Sequence, residues 1–114
     1  MGARIRLSGQ EAVTELVQLT EWLSREDEFR GRVEVEQPEV PQDAMGGAAE
    51  VLVVALGVQG AGTALATSLS IWIKHRHPAV DIEVTGPDGR SVKLSVRDYA
   101  SSDLGDLLRE VLER

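Results

Sequence analysis

The chain has 114 residues, of which 42% are hydrophobic and 27% charged, with a net charge of −7. That composition suits one domain over residues 1–114 with one modest core, not a disordered segment. The lack of cysteine excludes disulfides and thiol chemistry, and an acidic chain with no basic stripe argues against nucleic acid as a partner.

Arg4 and Arg6 alternate with Ile5 and Leu7, a period of two that predicts a short strand. No long apolar run follows the N-terminal residues, so no secretory signal is read there and a cytoplasmic location is expected. Ser8 stands three residues before Glu11, the spacing of a capping box, and predicts a helix start. Val13, Leu16, Val17, Thr20 and Leu23 then recur at helical spacing and are expected to face the core, with Glu11, Glu15, Gln18 and Glu21 toward water. The helix is expected to fray through Ser24–Arg30 and stop at Gly31, which tolerates a left-handed backbone. Arg32–Glu36 alternates as a second strand, expected to pair with the first in parallel through a right-handed crossover. Pro38 and Pro41 end it in a loop.

Further on, Ile82–Thr85 and Ser91–Arg97 alternate as strands joined by the turn Gly86-Pro87-Asp88-Gly89, which makes them a hairpin. The last element is a helix capped by Ser101 or Ser102, with Asp103 and Asp106 in its first turn and an apolar stripe of Leu104, Leu107, Leu108, Val111 and Leu112. The sheet is expected to be apolar on one face. Its other face would carry Arg4, Arg6, Glu34, Glu36, Glu83, Lys93 and Arg97, read first as a solvated face and second as a docking surface.

Val51–Ile73 carries no charge, and three readings compete for it. A membrane-anchored or membrane-inserting component would use it as a span, since roughly 20 apolar residues cross a bilayer. Gln59, Thr63, Thr67, Ser68 and Ser70 weigh against that, as does the need of the flanking strands for a cover. A buried strand Glu50–Leu56 followed by a glycine loop Gly57–Thr63 would suit a small nucleotide-sensing module, but the spacing matches neither phosphate-binding fingerprint. The preferred reading is one long apolar, glycine-containing helix over about residues 44–76, bent or broken near Gly57–Gly62, starting near Gln42 or Asp43 and ending before Pro78. The expected fold is thus α+β, a four-stranded mixed sheet in the order β-α-β-α-β-β-α with helices on one face. Gly57, Gly60, Ala61, Ala64, Ser68 and Trp72 draw a strip of small residues with one indole along that helix. The strip is read as an interface, to a partner or a homo-oligomer, or as packing on the chain's own first helix.

No catalytic centre can be assembled from the sequence. The only histidines, His75 and His77, read as a charged helix end rather than as metal ligands, and no hydrolase, metalloprotease or calcium-loop motif occurs. The expectation is a non-enzymatic protein with no catalytic residues, no cofactor and no metal.

The order of Trp22-Leu23, Arg30-Gly31-Arg32-Val33, Met45-Gly46, Glu50-Val51-Leu52 and Ala55-Leu56-Gly57 is distinctive. Gly60-Ala61-Gly62, Leu65-Ala66, Ser68-Leu69, Trp72, Arg76 and the run Ile82–Arg90 continue it. From about Ile5 to Leu112 the chain resembles the effector-associated constant component family of small bacterial proteins, found chiefly in actinobacteria. The resemblance implies an accessory, adaptor-like part of a bacterial conflict or immunity system that accompanies a variable effector such as a caspase-like or trypsin-like protease. It offers no catalytic residues to carry over to this chain.

Overall fold

A computed structural model describes residues 2–36, 49–56, 60–76, 78–95 and 103–112. The elements run β1 (Gly2–Ser8), α1 (Ala12–Ser24), β2 (Val33–Glu36), β3 (Ala49–Ala55), α2 (Ala61–Arg76), β4 (Asp81–Thr85), β5 (Ser91–Leu94) and α3 (Leu104–Leu112). The class is α+β, as the patterning predicts. The sheet, however, has five strands in the order β2-β3-β1-β4-β5, and every neighbouring pair is antiparallel.

Two expectations are corrected together. The long apolar helix over about residues 44–76 does not form: its first part is strand β3 and its last part is helix α2, which begins only at Ala61. Gln42 and Asp43, proposed for its start, and Gly57 at its bend lie outside the described residues. The strand agrees with the competing reading of a buried strand over Glu50–Leu56: the branched side chains of Val51, Val53 and Val54 suit a pleated surface better than a helix. Because β3 inserts between β1 and β2, those two strands run in the same direction but do not pair, so the parallel pair and the mixed sheet are overturned. Val51–Ile73 is therefore divided between sheet and helix layer, and among the described residues no helix is long and apolar enough to cross a membrane.

One face of the sheet carries the core. Ala3, Ile5 and Leu7 of β1, Leu52 and Val54 of β3, Ile82 and Val84 of β4 and Leu94 of β5 are all buried on it. The register agrees: Ile5 stands opposite Leu52 on one side and Val84 on the other. The three helices cover this face as one layer, α1 over β2, β3 and β1, α3 over β4 and β5, and α2 against both helices. Phe29, in a single 3-10 turn at Asp27–Phe29 where fraying is expected, fills the core at 0% exposure. Gly31 adopts φ +77, the left-handed conformation expected of it, but it does not stop the helix: α1 ends at Ser24 with Arg25 as its C-cap. In the β4–β5 turn, Gly89 takes φ +91 and donates its N–H to the Gly86 carbonyl at 3.1 Å, while the Gly86 N–H reaches the Arg90 carbonyl at 2.8 Å.

Helix details also differ. Ser8 does not cap α1. Ser8 is still in β1, the N-cap position falls on Glu11, and it makes no side-chain capping bond. The buried stripe of α1 is Ala12, Glu15, Leu16, Leu19 and Leu23, rotated from the predicted one so that Val13 and Val17 are exposed and Glu15 is inside. In α3 the buried set is Leu104, Leu108, Val111 and Leu112, with Leu107 turned outward. Ser101, Ser102 and Arg97 lie outside the described residues.

Candidate interaction site

Helices α1 and α2 run antiparallel, and two polar contacts fix their register. The first joins Glu15 near the start of α1 to Arg76 at the end of α2. The guanidinium Nε meets one carboxylate oxygen, and Nη2 meets the other at 3.4 Å. This forked pairing explains why a carboxylate can sit at 8% exposure in the apolar stripe of α1. The second joins Trp22 to Ser68. The indole N–H is shared between the Ser68 hydroxyl at 2.9 Å and its carbonyl at 3.2 Å. Ser68 is thus a polar side chain buried with a partner, as burial requires.

Alongside these two contacts, a groove of 430 Å³ is lined by Gln18, Glu21, Trp22 and Arg25 of α1 and its end, and by Trp72, His75 and Arg76 of α2. Both tryptophans of the chain border it. Its rim is charged with both signs, because Arg76 stands in the last turn of α2, where a cation complements the helix dipole, and Glu21 and Arg25 project from the end of α1.

The predicted strip is distributed along this helix pair. Ala61, Ser68 and Trp72 are buried against the chain's own core, Ala64 is partly buried on it, Gly60 is exposed before α2, and Gly57 lies outside the described residues. The glycine loop Gly57–Thr63 is likewise only partly described. His75 lies in the last turn of α2, and His77 is not described. Among the described residues no group of three or more metal-ligating side chains gathers. Sequence reasoning missed Gln18, Arg25 and the Glu15–Arg76 pair. The available signal was that the chain's two tryptophans each fall on a helix face. What makes them neighbours is the antiparallel register, which no local pattern records.

Replacing Trp22 by Phe keeps the ring in place but removes the donor to Ser68. A loss of about 1 kcal/mol is expected, the usual net worth of one hydrogen bond, read as a lower midpoint in urea unfolding with an unchanged slope. An unchanged midpoint would show that the indole N–H adds nothing to the helix register.

The opposite, open face of the sheet displays rows set by the register. Arg6 lies between Val51 and Glu83, and Glu83 lies beside Lys93. A shallow depression of 560 Å³ there is lined by Arg6, Ser8, Asp81, Glu83, Lys93 and Ser95, with Ile82 and Leu94 beneath. Charges of both signs alternate across neighbouring strands, an arrangement that favours a solvated face over an anion or cation site.

No curated protein and no solved structure matches the chain. The profile of one family, described as Effector Associated Constant Component 1, matches residues 8–113. That span takes in every element from the end of β1 to α3, including the two helices and the groove between them, so the chain belongs to the Effector Associated Constant Component 1 family.

Proposed function

We propose that this protein is a non-enzymatic accessory component of a bacterial conflict system, acting in the cytoplasm as an adaptor that couples to a variable effector such as a caspase-like or trypsin-like protease. The family match over residues 8–113 is the observation that carries this reading, since the family is described by its association with effectors. The α1–α2 groove is the surface best suited to the contact. It brings Trp22 and Arg25 together at the surface over the buried Trp72, and tryptophan and arginine are the residue types that most often anchor protein interfaces. The surrounding mix of Glu21, His75 and Arg76 supplies a polar rim that selects the partner by charge.

The test is titration calorimetry with a caspase-like or trypsin-like protease of the same conflict system. Wild-type protein is expected to bind. Arg25→Glu and Gln18→Arg, both at exposed positions, are expected to weaken binding by about tenfold or more, the loss typical of an anchor residue, without changing the circular dichroism spectrum. Absence of binding by the wild type would sink the effector reading. Binding unaffected by either change would move the contact to another surface.

A further inference from the structure

We infer that the two edges of the sheet are complementary to each other, so that the β5 edge of one copy adds to the β2 edge of the next. The inference concerns contact between copies of this chain and does not depend on the effector reading.

The two edges differ in a matched way. At the β2 edge, Glu34 is exposed on the open face, and Val35 is 41% exposed although it lies on the core side. Above it, Val13 and Val17 of α1 are 57% and 50% exposed. Their direction follows from the helix: Glu15 and Trp22 reach toward α2, so Val13 and Val17, on the opposite flank, point away from α2 and over the outer side of β2. Among the described residues the apolar layer therefore runs past the last strand, and one more strand would lie beneath it.

The β5 edge presents the counterpart. Lys93 is exposed on the open face, and Val92 and Leu94 lie on the core side. On α3, Gly105 is turned toward Ser70 of α2: a Cβ there would meet the Ser70 hydroxyl at 3.7 Å. Leu107, roughly 200° further around the helix, points away from α2 past β5 and is 36% exposed.

Strand directions allow the two edges to meet. β2 and β5 both run parallel to β1, because each is two antiparallel steps from it. A copy displaced along the sheet in the same orientation thus places its β5 beside β2, with the helix layers on the same side. Lys93 of that copy then faces Glu34. In that register Val92 lies beside Val33 and Leu94 beside Val35, and Leu107 meets the Val13–Val17 flank. Main-chain pairing and the apolar cover supply the affinity, and the charges supply the choice of edge. Pairing β2 with β2 would instead set Glu34 against acidic residues. The contact is heterologous, so it repeats and forms open-ended arrays rather than a closed dimer.

Sedimentation velocity over a range of protein concentrations tests this, with the wild type, Glu34→Lys, Lys93→Glu and the double reversal. The expected result is a mass that grows beyond dimer with concentration in the wild type. Either single reversal should abolish the growth, and the double reversal should restore it. Both positions are exposed, and circular dichroism controls for folding. A constant 12.4 kDa species at every concentration, a closed dimer, growth indifferent to the single reversals, or failure of the double reversal to restore growth would each overturn the head-to-tail pairing.

Discussion

Gly86→Ala is expected to destabilise the protein by about 3 kcal/mol, at the upper end of what overpacking costs, and to lower its melting temperature by roughly 10 °C or more. A Cβ at position 86 would stand 1.9 Å from the Val111 carbonyl oxygen and 3.0 Å from the carbon behind it. Both obstacles are main chain of α3, so no rotamer change relieves the clash. Either α3 lifts off the sheet or the β4–β5 turn shifts. Lifting α3 would uncover Leu104, Leu108 and Leu112, which are buried to within 1% of full coverage. Chemical unfolding of the variant reads the cost directly. A loss under about 1 kcal/mol, less than the usual range for overpacking, would mean that the turn and α3 are not in the contact described. The role of Gly86 is thus a matter of room rather than of backbone freedom, in contrast to Gly89 three residues on, which needs its left-handed φ to close the turn.

Arg76→Ala is expected to cost about 2 kcal/mol. Removing one partner of a buried ion pair commonly costs more, but Arg76 is itself 36% exposed and so the interaction is partly screened. The loss arises because the Glu15 carboxylate stays in the apolar stripe of α1 without its forked partner. Glu15→Leu should cost less, because the arginine that remains can turn to water while leucine extends the stripe formed by Leu16, Leu19 and Leu23. The double variant Glu15→Leu, Arg76→Leu should lie near the wild type, since apolar replacement of a buried pair is often neutral. A double-mutant cycle measures the coupling. Strictly additive single changes would show that the pair does not hold α1 to α2. The same cycle bears on the groove, because Arg76 also lines it: a weakened helix register should loosen any partner seated between Trp22 and Trp72.

Local patterns by themselves determined much of this protein. Alternation placed β1, β2, β4 and β5, and the Gly86–Gly89 turn fixed the hairpin, because strand period and turn chemistry depend only on residues close in sequence. The order of apolar and glycine residues from Trp22 to Arg90 was enough to indicate the family, since such an order survives without any knowledge of which segments touch.

Tertiary structure decided the rest. In β3 the open-face residues Val51 and Val53 are apolar like the core-face Leu52 and Val54. The period of two is erased there, so an uncharged run into α2 reads either as a buried strand or as one long helix, and local pattern prefers the helix. Only pairing with β1 on one side and β2 on the other makes it a strand, and that pairing moves β2 from partner of β1 to the edge of the sheet. Glu15 enters the core because Arg76, 61 positions away, meets it there. Trp22 and Ser68 become neighbours through a helix register that no window of sequence contains. The physical reason is common to all of these. Periodicity states which side of an element is apolar, but the partner that covers that side is chosen by long-range packing, and it is that choice that leaves a groove between α1 and α2 and two unlike edges on the sheet.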